Sequence, residues 1–271
     1  MSVIHTNNIT NKDGTSGPTI SGITTVSSTG FMQVPVGDTR TRIVLPNENI
    51  VTDGLVLYLD AGKAESFGGD GTTWRDLSGN GNTGTLVNGV GYSGSDGGSL
   101  SFDGVNDYVN LGDFYDNTSS ITINSWVYLN SSLPAYSTTF RTIISKGPHP
   151  TQDYGLYFNS TNNVIVWIIN SGNIRLETPN NSINKGVWNN ISVTLSTSMV
   201  GIYLNGTLLT STNSVTTIPS STKQFLIGYD GDSGDDRYWN GNISQVSIYN
   251  RALTPQEIQQ NYNATKYRYE N

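Results

Sequence analysis

The sequence predicts an all-β fold of two antiparallel sheets packed face to face, with a single short helix near the C-terminal end. Three observations predict it: short runs that alternate apolar and polar residues, turn dipeptides between those runs, and one well-capped helix start after the last of them. In the run from Ile121 to Leu129, the positions Ile121, Ile123, Val127 and Leu129 share one face. Ile191, Val193 and Leu195 repeat the pattern, with Asn190, Ser192 and Thr194 opposite. Ile202 and Leu204 lead into Asn205-Gly206, two residues that tolerate positive φ and therefore predict a tight hairpin. Val164 to Ile169 and Ile174 to Thr178 flank Asn170-Ser171-Gly172-Asn173, a second hairpin. The last strand breaks its alternation between Ile243 and Val246. Thr254-Pro255-Gln256-Glu257 then forms a capping box with proline at the first helical position. The Thr254 hydroxyl accepts from an early backbone amide while the Glu257 side chain reaches back to the Thr254 amide. The stretch from residue 51 to 271 is of a length that suits one such sandwich.

Composition bounds the function. Charged residues make up 13% of the chain, about half the usual share, so solubility rests on Asn, Ser, Thr and Gly. A net charge of −7 and a pI near 4.7 argue against binding nucleic acid by phosphate neutralisation. No apolar run reaches membrane-spanning length, and Met1 to Asn7 has neither the charged start nor the apolar core of a signal peptide. The expectation is a protein with no membrane partner, made in a cytoplasm and released by lysis or by another route. Cysteine is absent, which excludes disulfides, thiolate catalysis and cysteine zinc sites.

An ordered series of motifs carries a family resemblance. GLVLYLDAGKAES (Gly54 to Ser66) and TTWRDLSGNGNTGTL (Thr72 to Leu86) come first. GGSLSFDGVNDYVNLG (Gly97 to Gly112), ITINSWVYL (Ile121 to Leu129), RTIISKG (Arg141 to Gly147) and DYGLYF (Asp153 to Phe158) follow. KGVWNNISVTLSTSMVGIYLNGTLL (Lys185 to Leu209), FLIGYD (Phe225 to Asp230) and WNGNISQVSIYNRALTPQEIQQNY from Trp239 complete the series. In this order and spacing they resemble the laminin-G-like domains of type 3, within the concanavalin A-like group, over roughly residues 52–265. The resemblance implies a two-sheet jelly-roll sandwich that serves as a glycan-binding, protein-binding or plain scaffold domain.

Residues 1–50 differ in kind. They are rich in Ser, Thr, Gly and Asn, and too polar and short to form a core. One reading is a disordered linker. The other is an extended arm that orders by adding strands to a partner's sheet, anchored by Ile20, Ile23, Val26, Phe31, Val34 and Val36. The segment is similar to the opening segments of structural proteins from tailed bacteriophages, notably those of cyanobacteria. That similarity implies an attachment device whose partners are other virion subunits.

Catalytic signals are missing. The five glutamates, Glu48, Glu65, Glu177, Glu257 and Glu270, are isolated, whereas glycoside hydrolysis needs a carboxylate pair flanking one bond. His5 lies in the arm and His149 between two prolines, so neither suggests a triad. Gly69-Asp70-Gly71-Thr72-Thr73-Trp74 is similar to a sialidase Asp-box but one residue short, and reads as a turn. Gly79-Asn80-Gly81-Asn82-Thr83-Gly84 lacks the lysine and helix of a phosphate loop. The expectation is no enzyme.

Binding signals are present. Asp230, Asp232 and Asp235, with Asp236, crowd carboxylates into one loop, which reads either as a calcium site or as a solvated acidic loop tip. Asp60 and Asp103 are rival metal candidates that read more simply as turn caps. For a glycan, the candidates are Tyr157, Trp167, Arg175, Tyr238 and Trp239, because rings stack on sugar C–H faces while arginine reads hydroxyls. Trp126 and Trp188 read as core or sheet packing. Trp167 stands opposite Val166 and Ile168 in alternation, so one face of that strand is expected to expose something large to a glycan or a neighbouring subunit. The functional expectation is a virion structural protein, a capsid decoration, head fibre or tail appendage. It is expected to form a homo-oligomer and to display a domain that adheres to host-surface glycans. The alternative is a free or cell-surface lectin module.

Overall fold

In the computed structural model, the described residues are 49–116, 118–132, 139–232, 234 and 237–269. The arm anchors predicted from residues 1–50 therefore lie outside the described residues, as does Asp235. The chain forms β1 (Leu55–Asp60), β2 (Thr73–Trp74), β3 (Gly84–Val87), β4 (Gly91–Ser93), β5 (Ser99–Asp103), β6 (Tyr108–Asn110), β7 (Ile121–Leu129) and β8 (Phe140–Lys146). β9 (Tyr154–Asn159), β10 (Val164–Ile169), β11 (Ile174–Glu177), β12 (Trp188–Leu195), β13 (Val200–Leu204), β14 (Thr207–Thr212), β15 (Phe225–Ile227) and β16 (Asn240–Tyr249) follow. Helix α1 (Pro255–Thr265) and a short 3-10 turn at Lys266–Arg268 end the domain. No helix among the described residues is long and apolar enough to cross a membrane.

All strand pairings are antiparallel. Sheet I runs β14-β13-β12-β7-β16-β5-β4, with β1 also paired to β16. Sheet II runs β11-β10-β9-β8-β15-β6-β3-β2. Alternation explains which side chains meet between them. Ile121, Ile123, Val127, Leu129, Ile191, Val193, Leu195 and Ile202 of sheet I pack against Leu156, Phe158, Ile165, Trp167, Phe225 and Ile227 of sheet II. Both predicted hairpins form. Asn205 and Gly206 take φ of 50° and 79°, the left-handed pair that a two-residue turn requires. Asn170, Ser171 and Gly172 take φ of 51°, 54° and 92°. The break in β16 is a bulge between Ile243 and Gln245.

The outer face of sheet I is covered. Thr254 and Glu257 make the capping box as expected, with the Glu257 amide donating to Thr254 Oγ1 at 3.3 Å and the Thr254 amide to Glu257 Oε2 at 2.8 Å. α1 then lays Ile258 on Tyr203, Tyr249, Leu253 and Val51. Trp126 packs there as expected, stacked on Tyr269 at 4.1 Å and donating its indole N–H to Thr265 Oγ1 at 2.8 Å. Beyond the helix, Arg268 Nη1 reaches both oxygens of the buried Asp60 carboxylate at 2.9 and 3.0 Å. Asp60 also accepts from Tyr58 and Gln245 and from the Gly62 amide, and Asp103 accepts from the Val105 amide. Both aspartates thus act as the turn caps that the sequence suggested.

Candidate functional site

The outer face of sheet II carries no helix among the described residues, and its side chains define the site. On β10 the residues Val164, Val166 and Ile168 point to this face, while Ile165, Trp167 and Ile169 point into the core. Tyr157 from the neighbouring β9 joins the outward group, and Phe140 of β8 packs against it edge to face, the rings at 85° and 6.2 Å. Gly155 makes this possible: a Cβ there would stand 2.3 Å from the Tyr157 hydroxyl and 2.4 Å from its ring. The ring therefore lies flat over the glycine in the space that any side chain would fill.

Two arginines frame the patch. Arg175, on β11, sets its guanidinium 5.5 Å from the Phe140 ring centre and pairs with Glu177 at 2.6 Å. Arg237 arrives from the loop before β16; its carbonyl accepts from the Thr142 amide of β8 at 2.9 Å, which anchors the loop on the sheet. Its guanidinium meets Asp230 at 3.0 Å and Asp232 at 3.6 Å. Phe140, His149, Tyr157, Ile168, Arg175 and Arg237 together line a small, shallow recess. The Tyr157 side chain is buried, 1% exposed, with its hydroxyl beside that of Ser145, which itself donates to the Gly147 carbonyl. Burial, then the Asp230 charge, push the Tyr157 phenol well above its ordinary pKa, so the group stays a neutral O–H donor and acceptor. Burial likewise raises the Asp230 carboxyl against the lowering effect of Arg237.

The predicted glycan residues separate. Tyr157 and Arg175 come together in the recess. Trp167 and Trp239 do not: both are buried in the core between the sheets, 0% and 1% exposed. A ring without exposed surface offers no stacking platform, so the expected exposed Trp167 is corrected. β10 is buried on both faces, with Trp167 on the side that packs between the sheets. Tyr238 is half-buried and stacks on Tyr229 at 4.2 Å, with Tyr108 beside Tyr229 at 5.6 Å. Trp188 is half-buried against Tyr128 and Tyr269. Sequence reasoning missed Phe140, Ile168 and Arg237. Arg237 carried a usable signal, a lone cation beside four aspartates.

The carboxylates of Asp230 and Asp232 converge on the Arg237 guanidinium, which offsets part of their charge. Among the described residues no three His, Asp or Glu side chains form a metal-holding group.

A two-sheet antiparallel sandwich with one capped C-terminal helix defines a concanavalin A-like domain architecture. The sequence profile of the concanavalin A-like lectin/glucanases superfamily, laminin G type 3, matches residues 102–259, more than half of the chain. The chain belongs to that superfamily. Among curated proteins no sequence matches it. Solved structures share the fold at low identity. Domain 4 of AbnA, an extracellular arabinanase of Geobacillus stearothermophilus solved with arabinotriose, is 17% identical with a TM-score of 0.56, covering 78% of this chain and 98% of that one. The binding domain of Paraclostridial Mosquitocidal Protein 1 is 19% identical with a TM-score of 0.58, covering 78% and 52%. Trypanosoma rangeli sialidase with the inhibitor DANA is 17% identical with a TM-score of 0.56, covering 81% and 34%. The chain thus spans about a third of the length of the sialidases it matches.

Proposed function

We propose that the domain is a non-catalytic glycan-binding module whose site is the recess on the outer face of sheet II. One observation carries the reading: the partly exposed Phe140 ring, with the Arg175 guanidinium 5.5 Å from its centre, offers apolar surface for sugar C–H groups beside fixed N–H donors for sugar hydroxyls. The ligand is a neutral sugar. Arg175 is balanced by Glu177, and Arg237 by Asp230 and Asp232, so the recess holds directional donors without excess positive charge for an acidic sugar. No pair of carboxylates there is free to act as acid and nucleophile, since Asp230 is committed to Arg237 and Glu177 to Arg175.

Residues 1–50 serve in this reading as the attachment arm to other virion subunits, supported by their similarity to opening segments of phage structural proteins. Calorimetric titration with neutral oligosaccharides, arabino-oligosaccharides first because a fold relative was solved with one, tests the site. Binding that falls tenfold or more in Arg175→Ala supports it; no neutral glycan bound, or binding indifferent to that change, sinks it. Deleting residues 1–50 is expected to abolish particle association with sugar binding retained, and unchanged association would remove the arm from the proposal.

A further inference from the structure

The sheet edges differ in how they are closed. A free edge is a row of unpaired N–H and C=O groups that templates another strand, and proteins blunt such edges by shortness, charge or a covering loop. In sheet II, β2 has two residues, and β11 has four with Arg175 and Glu177 on its outward face. In sheet I, β4 has three residues. β1 is longer but capped by the Asp76–Asn82 loop: Asp76 Oδ1 accepts from the Tyr58 amide, while Asn80 and Asn82 donate to the Leu55 and Val56 carbonyls. The Leu77 amide also donates to the Tyr58 carbonyl. β14 has none of these devices. Its six residues, Thr-Leu-Leu-Thr-Ser-Thr, carry no charge and no proline, and three of them, including Leu208 at 41%, are exposed. On the side away from β13, its backbone makes no hydrogen bond among the described residues.

We infer that β14 is an interface between two copies of this chain, paired antiparallel across a two-fold axis to join their sheets I. Self-pairing satisfies both edges at once and closes the assembly, because the same strand meets its own reverse about a two-fold axis through one of its central residues. Electrostatics permits it for a chain of charge −7. α1 and β11 both lie near β14; α1 carries only Glu257 as a charged residue, paired with Arg251 at 2.7 Å, and on β11 Arg175 pairs with Glu177 at 2.6 Å. Like charges are therefore kept away from the seam. Two such strands bury less than the ~1,200 Å² of a standard interface, so the dimer depends on concentration.

Sedimentation velocity on the full chain, over a wide range of concentrations, reads the outcome. The expected mass rises toward twice 29.3 kDa with concentration, and Leu208→Lys with Ser211→Lys returns it to the monomer while circular dichroism stays unchanged. Because the chain has no cysteine, Leu209→Cys and Thr210→Cys, made separately, add a control: the two-fold places one of these central positions opposite its own copy, so one of the two is expected to yield a disulfide-linked dimer under oxidation. A monomer throughout overturns the inference. So does an oligomer that survives the double lysine variant, or the failure of both cysteine variants to cross-link.

Discussion

Of the two outer faces of the sandwich, sheet I carries a helix and sheet II, among the described residues, does not. On sheet I polar side chains knit the face together under the helix: Asn124 donates to Asn190 and Ser192, Gln245 to Asp60, and Arg268 seals the edge of the roof. On sheet II an apolar cluster of Tyr157, Val164, Val166, Ile168 and Phe140 meets two arginines at a shallow recess instead of a helix. A helix laid over a face makes it structural, whereas an aromatic edge beside guanidinium donors makes it receptive.

The strongest way to break the contrast is to open the roof. Arg268→Ala leaves the 0% exposed Asp60 carboxylate without its counter-charge, a change expected to cost about 3–5 kcal/mol. Thermal unfolding is expected to report it as a fall of several degrees in Tm, with glycan affinity at the far face unchanged wherever the protein is still folded. Loss of affinity without loss of stability would contradict the division.

Gly155→Ala strikes the open face instead. The added methyl has to displace the Tyr157 ring, at about 1–3 kcal/mol for overpacking, and the recess is expected to lose its ligand. Chemical denaturation and titration on the same variant check both effects.

At the helix, Glu257 accepts from Arg251 and from the Thr254 amide, which holds its carboxyl down to about 2. Because the folded value lies below the unfolded one, this stabilisation is complete above about pH 4.5 and fades as pH falls toward 2. Glu257→Gln is expected to flatten that acid limb, with at most ~1 kcal/mol lost at neutral pH, in line with the loss of a cap. Unfolding curves at stepped pH give the slope.

The smallest effect is expected from Tyr157→Phe, which removes a buried hydroxyl beside Ser145; stability is expected to fall by at most ~1 kcal/mol. Glycan binding is expected to change less than twofold, because the hydroxyl has no exposed surface. A larger loss of affinity in titration would mean that the ligand reaches deeper than Phe140 and Arg175.

The sequence by itself determined the sandwich, both hairpins, the bulge in β16 and the capped helix. Each rests on interactions within a few residues: alternation, left-handed turn residues and a reciprocal side-chain cap. It also named Tyr157 and Arg175, which the structure brings together in the recess. Only the tertiary structure decided which face of β10 turned inward. Val164-Ile165-Val166-Trp167-Ile168-Ile169 is apolar throughout and carries no phase, so the direction of Trp167 is fixed by the register of β10 between β9 and β11. Only the tertiary structure joined Arg237 to Tyr157 and Phe140, residues brought together by neighbouring strands and a returning loop. The unguarded edge of β14 and the covered edge of β1 are likewise properties of pairing across the sheet, to which local pattern is blind.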